Sequence, residues 1–271
     1  MPLFNDHFQN FKGYNIPPAQ LVIADIPYNI GINAYGSNPS WYVDGDNKNG
    51  ESELAGKSFF DTDENFKTTE FMHFCSKLMK KEPKEKGQAP CMIVFCSFEQ
   101  QWPLIELART YEIKNYINLV FRKNFSAQVL KANMRPVGNC EYALLLYREK
   151  LPKFNNNGKM VFNCMDWISD PDDGFFEKIH PTQKPVKLLE RLIEIFTDPG
   201  DVVIDPCAGS GSTLVAANNL GRKGYGFEIK KDFYKQASAW IEQSKIMKDE
   251  IKNNGYSKTM LMKQSPLQEC F

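Results

Sequence analysis

The sequence predicts an α/β domain with a doubly wound, mostly parallel sheet. Three observations carry that expectation. Short apolar, β-branched runs alternate with segments of helical period along most of the chain. The run Asp201–Ile204 passes directly into a glycine-rich loop, Asp205 to Gly211, and then into a helical segment. A further strand-like run, Gly224–Ile229, carries the acid Glu228 near its end.

Taken in order, Leu21–Asp25 is a buried-strand pattern ended by an acid, and Ile26–Gly31 follows as a turn in which Pro27 biases Ile26 toward extended backbone. Residues 32–66 hold four glycines, many acids and no sustained period, which predicts a long mobile loop. Phe71, Phe74, Cys75, Leu78 and Met79 recur at helical spacing within Thr69–Lys80. Cys91–Cys96 is a buried strand, Gln100–Arg109 a helix, and Ile117–Phe121 and Glu141–Tyr147 two more strands. Pro185 suits the first turn of an amphipathic helix over Val186–Ile193, and Asp232–Met247 is a last helix with Phe233, Ala237, Trp240 and Ile241 on one face.

The 271 residues are expected to form a single domain, 1–271. No run approaches the ~18 apolar residues of a membrane span, so a soluble, cytoplasmic protein without a membrane partner is expected. The seven cysteines include no Cys-x-x-Cys pair and only three histidines accompany them, which predicts reduced thiols and no metal site. Thirty-three basic residues balance thirty-three acidic ones, so any nucleic-acid footprint has to be local. One such footprint exists. Between Lys114 and Arg135 there is no acid, and Arg122, Lys123, Lys131 and Arg135 alternate with aromatic residues, as phosphate contacts require.

The glycine loop points to a ligand. Gly209 and Gly211 permit tight turns and close backbone approach, and a helix start at Ser212 follows. Glu228 lies at about the ~20-residue offset at which a carboxylate meets ribose hydroxyls. The loop lacks the lysine of a phosphate-gripping loop, which favours a nucleoside ligand with little phosphate, such as S-adenosylmethionine.

Two motifs then act together. Asp25-Ile26-Pro27-Tyr28 resembles the Asp-Pro-Pro-Tyr catalytic motif of the amino-group (N6-adenine or N4-cytosine) DNA methyltransferases. Asp205-Pro206-Cys207-Ala208-Gly209-Ser210-Gly211 resembles their Phe-x-Gly-x-Gly cofactor motif, with Cys207 in place of Phe. The catalytic motif comes first, as in their beta arrangement, and the resemblance runs from Leu21 to about Ile241. It implies a Rossmann-like S-adenosylmethionine-dependent methyltransferase fold with circularly permuted motif order, acting on DNA.

The resemblance also implies roles. Asp205 would bind the cofactor's ammonium, and the loop of Cys207, Ala208, Gly209, Ser210 and Gly211 would pass under its amino-acid end. The segment His180–Pro185 resembles the motif that holds the methionine part, with Thr182, Lys184 and a helix N-terminus offered to a carboxylate. Residues 150–179 occupy the place of a short target-recognition region. Asp25 and the Ile26 carbonyl would accept the two N–H bonds of an exocyclic amine, with Tyr28 stacking on a base turned out of the duplex. In the family Asp at the first position is commonest in adenine-N6 enzymes, so adenine N6 is favoured over cytosine N4. A companion restriction endonuclease or none, and a monomer or homodimer, are both compatible with the resemblance. A dinucleotide oxidoreductase, a non-catalytic cofactor-binding protein and an RNA or protein-glutamine methyltransferase are the competing classes.

Overall fold

The computed structural model describes residues 1–29, 65–124, 126, 136–170 and 183–254. The expected loop 32–66, except for its last two residues, lies outside them, as do Lys131, Arg135, Thr182 and the end of the expected recognition region.

Among the described residues, eight strands form one sheet: β1 (Leu3–Phe4), β2 (Leu21–Asp25), β3 (Cys91–Cys96), β4 (Asn115–Arg122), β5 (Cys140–Tyr147), β6 (Cys164–Asp166), β7 (Val202–Asp205) and β8 (Lys223–Phe227). Five α-helices accompany them among the described residues: α1 (Thr68–Leu78), α2 (Phe98–Arg109), α3 (Val186–Phe196), α4 (Ser212–Asn219) and α5 (Lys231–Asn254). The strand order is β1-β8-β7-β2-β3-β5-β4-β6. Every pairing is parallel except those of β5, which runs antiparallel to both β3 and β4. The sheet is thus mostly parallel, with one reversed strand that sequence pattern does not encode.

Alternation along the strands sets two cores. Leu21 and Ile23 of β2 and Cys91, Ile93 and Phe95 of β3 face α3, α4 and Trp240 and Ile241 of α5. Val22, Ala24, Met92 and Val94 face the other way, onto α1 and α2. Helices cover both faces, so strands buried on each side read as unbroken apolar runs. None of the described helices is long and apolar enough to cross a membrane.

Helix boundaries follow local chemistry. Ser97 and Gln100 form a reciprocal capping box at the start of α2, which begins the helix two residues before the expected Gln100. Helix α4 is capped by Gly211 at φ 80° instead of by a serine side chain. Residues 150–179 contribute more to the architecture than their weak pattern suggests: within them β6 pairs in parallel with β4. The N-terminus adds β1 beside β8, with Phe4 and Tyr14 packed near Phe227.

Candidate active site

Strand β2 pairs in parallel with β7, Leu21 opposite Val203 and Val22 opposite Ile204. Their carboxyl ends therefore emerge side by side, and each ends in an acid, Asp25 and Asp205. Here the chain's early and late halves meet, and the carboxyl edge at such a junction is where open α/β sheets hold ligands.

On the β7 side the loop after Asp205 is folded by its own backbone. Ala208 N–H donates to the Phe227 carbonyl at 2.9 Å and Gly211 N–H to the Ala208 carbonyl at 2.7 Å. Gly209, at φ 51°, donates its N–H to Glu228 Oε2 at 2.9 Å, so the acid at the end of β8 grips the glycine loop. Glu228 Oε1 accepts from Lys230 N–H at 2.7 Å. Burial raises the Glu228 pKa, and the amides of Lys230, Gly209 and Ile229 only partly offset it. Asp205 is 4% exposed and accepts from the Cys207 N–H at 3.0 Å. Burial pushes its pKa up to about 7, against the pull of Thr213 and the Cys207 amide, with Asp25 and Glu228 adding to the rise. None of these groups is a cation. Two buried acids with amides and hydroxyls as neighbours suit a ligand that brings its own positive charge, which S-adenosylmethionine does in its sulfonium and ammonium groups.

Gly211 also serves packing. A Cβ there would stand 2.9 Å from Ile241 Cδ1 and 3.3 Å from the Ala237 Cβ, so this glycine lets α5 pack against the start of α4. Ser210 and Ala208 are buried, and Cys207 is half-buried with its thiol pKa raised by burial.

On the β2 side, Asp25 is surrounded by donors. Lys184 Nζ lies 2.6 Å from Asp25 Oδ2, and the Tyr28 hydroxyl donates to Oδ1 at 3.3 Å. Lys184 is 6% exposed and also stands 3.1 Å from Glu141 Oε2, at the start of β5, while Glu141 Oε1 pairs with Lys123. The Lys123 ammonium sits 4.5 Å from the centroid of the Trp167 ring. Burial raises the Asp25 pKa; Lys184 pulls it down and Glu141 pushes it further up. Burial also pushes Glu141 up, but Lys184 and Lys123 more than offset it and its pKa is lowered.

The turn after Asp25 is tied down as well. Ile26 N–H donates to the Phe95 carbonyl at 3.2 Å, and Gln100 Nε2 donates to the Pro27 carbonyl at 2.9 Å. An open cleft of about 350 Å³ lies against Tyr28, lined also by Asn29, Thr68, Ser97, Glu99, Gln100 and Pro103.

At three sequence-predicted positions the structure shows partners within the protein. The N-terminal amides of α3 do meet a carboxylate, but it is the protein's own: Asp170 accepts from Val186 N–H at 2.8 Å and Lys187 N–H at 2.9 Å. Lys184, expected beside the cofactor's methionine carboxylate, has its ammonium on Asp25. Lys123, expected on phosphate, is largely buried between Glu141 and Trp167, whereas Arg122 stays on the surface with Asp166, Nη2 to Oδ1 2.6 Å. Glu141, Asp170 and Gln100 were not singled out from sequence. For Gln100 a signal existed, since Ser97 three residues before it is a capping-box pattern.

Comparison with known proteins adds independent findings. A family model described as DNA methylase matches residues 19–239. DNA adenine methyltransferase YhdJ of Escherichia coli (strain K12) is 39% identical over 98 residues, 34% of this chain and 32% of that protein. The stretches matched in the curated relatives span less than half of those relatives' length. The M1.HpyAVI-SAM complex superposes with a TM-score of 0.61 at 22% identity, covering 88% of this chain and 97% of that one. PvuII DNA methyltransferase, described as cytosine-N4-specific, gives a TM-score of 0.60 at 14% identity, covering 93% and 92%. At these identities the two structures attest the fold.

Proposed function

The chain belongs to the DNA methylase family whose model it matches, and on that premise we propose that it transfers a methyl group from S-adenosylmethionine to the N6 amine of adenine in DNA. The observation that carries this reading is the parallel pairing of β2 with β7, which sets the Asp25–Tyr28 turn beside the Asp205–Gly211 loop on one edge of the sheet.

An exocyclic amine is a poor nucleophile because its lone pair is drawn into the ring. The Asp25 carboxylate accepts one N–H and the Ile26 carbonyl the other, which polarises the nitrogen and turns its lone pair toward the methyl donor. Ile at the second motif position is compatible with this role, since the acceptor is main-chain oxygen. Gln100 holds the neighbouring Pro27 carbonyl and Ile26 N–H is held by Phe95, so the acceptor between them is fixed before substrate arrives. The Tyr28 ring stacks on the flipped base, for which the cleft beside it gives room. S-adenosylmethionine, when bound, would supply the methyl from its sulfonium and leave as the neutral thioether, while the methylated amine would lose one N–H proton to solvent by way of Asp25. Asp205 and Glu228 take its positive amino-acid end and its ribose hydroxyls respectively, and the loop from Cys207 to Gly211 carries it. Thr182 is proposed beside its methionine end, and Arg122, Lys131 and Arg135 on phosphates. A soluble cytoplasmic enzyme of one domain fits this reading.

Adenine is favoured over cytosine N4 by Asp at position 25 and by the name of the YhdJ relative. The test is methyl transfer from labelled S-adenosylmethionine to genomic DNA, followed by digestion to nucleosides and mass spectrometry. N6-methyladenine is the expected product. N4-methylcytosine as sole product overturns the choice of base, and transfer to RNA or protein but not DNA overturns the substrate class.

A further inference from the structure

We infer that Lys184 is a positioning residue for methyl transfer, acting through Asp25: it fixes that carboxylate in its ionised, hydrogen-bond-accepting form, and is itself fixed by Glu141. This rests on the reading of Asp25 given above. The geometry is specific. An ammonium with almost no exposure lies 2.6 Å from Asp25 Oδ2 and 3.1 Å from Glu141 Oε2. The rings of Phe95 and Tyr28 lie at 5.2 and 5.9 Å from it, offering faces to the charge. A buried lysine at this cost is retained only where its charge is paired, and here two carboxylates pair it.

The backbone limits how far Lys184 can move. Pro185 follows it, which biases Lys184 to extended backbone, and the helix beginning at Val186 is locked to Asp170. Around it the charges alternate: Asp25 negative, Lys184 positive, Glu141 negative, Lys123 positive. Glu141 therefore has two opposing effects. It holds Lys184 in place, yet its own charge opposes ionisation of Asp25, and Lys123 screens that charge.

The chemistry explains why this matters. A protonated Asp25 would present an O–H donor to an amine that needs an acceptor. Among the described residues, the titratable groups facing Asp25 are Tyr28 from its own turn, Cys96 at the end of β3, Glu141 of β5, Lys184 ahead of α3, and Asp205 and Cys207 at the end of β7. Among these Lys184 alone is cationic. Burial and Glu141 push the Asp25 pKa up, and Lys184 is the main counterweight.

The experiment titrates the ¹³C-labelled Asp25 carboxyl, assigned with Asp25→Asn, in the whole protein and in Lys184→Met, Lys184→Arg and Glu141→Gln. Single-turnover pH profiles and S-adenosylmethionine titrations accompany it. Lys184→Met should raise the Asp25 midpoint by about 1–3 pH units, the scale of losing one adjacent opposite charge. The acid limb of the rate should move up by the same interval, so that turnover lost on the acid side recovers as pH rises, with cofactor affinity within about threefold of the original. Lys184→Arg should restore the acid limb, and Glu141→Gln should lower the midpoint. An unchanged midpoint in Lys184→Met overturns the inference, as does lost cofactor affinity with an unmoved acid limb, which returns Lys184 to the cofactor. If Lys184→Met does not fold, Lys184→Gln takes its place, and an unchanged Asp25 midpoint in that variant overturns the inference. Should the unaltered protein methylate no DNA, the proposed function falls while the Asp25 titration still decides the role of Lys184.

Discussion

On the β7 side of the crevice, Asp205 and Glu228 are buried acids served by backbone amides and hydroxyls; on the β2 side, Asp25 and Glu141 are buried acids interleaved with the ammonium groups of Lys184 and Lys123. The difference matches two kinds of guest. Acids without a counter-charge favour a cationic guest that supplies it, whereas an acid whose charge is already balanced acts as an acceptor toward a neutral amine.

The comparison breaks most visibly at Asp25. Asp25→Ala should lower single-turnover methyl transfer by about 10²–10⁴-fold, the scale for a positioned polar group at a reacting atom, while calorimetry finds cofactor affinity unchanged. Loss of cofactor binding in that variant would erase the division between the two sides. Next in size, Glu228→Ala should weaken S-adenosylmethionine by about 1–3 kcal/mol, since it removes an acceptor for charge-assisted hydrogen bonds, and leave the rate at saturating cofactor little altered.

A pH series sharpens the contrast. Asp205 has its pKa pushed up to about 7, above the 3.8 of an ordinary aspartate. In the protein without cofactor, its contribution to stability is therefore fully present below the unfolded value and is lost as pH rises through about 7. A cationic ligand favours the ionised form, so cofactor affinity should rise with pH below about 7, by at most about tenfold per unit, with release of up to one proton. Calorimetry in buffers of different ionisation enthalpy measures that proton, and Asp205→Asn should abolish it. Proton uptake on binding would contradict the picture of an uncompensated acid. The smallest effect is expected at Asp170: replacing it by Ala removes the carboxylate that caps α3 and should cost about 1 kcal/mol of stability in denaturant unfolding. Cofactor affinity should not change, because those amides already serve the protein.

Legibility in the sequence follows the range of the interactions. The strand patterns, the glycine corner and the Asp25–Tyr28 turn are each local, and their chemistry can be read from a few consecutive residues. The direction of β5 is not local: apolar alternation is the same for a strand run either way, so its reversal is settled only by pairing with β3 and β4. Sequence pattern makes Glu141 only the first residue of an ordinary strand, although reversal brings that start to the same edge as the end of β2. Asp170 caps a helix from across a weakly patterned segment, and propensity near Pro185 gave no hint of it. Local charge excess predicts a phosphate contact at Lys123, but it says nothing about an acid that folding brings alongside.

The β2–β7 pairing also bears on how the molecule is made. The unit of β7, α4 and β8 is contiguous in sequence, and β3, β4 and β5 lie close together along the chain, so both can form early through short loops. Joining Leu21 to Val203, and Leu3 to Gly226, closes loops that span most of the polypeptide. Such pairings carry the greatest closure entropy and are formed late. A chain still on the ribosome has completed β2 long before β7 exists, so the edge that holds both acids is assembled only after β7 has been synthesised. Truncations from the C-terminal end that remove β7 would leave a sheet whose inner strand β2 is exposed as an edge, a surface prone to pairing with other chains.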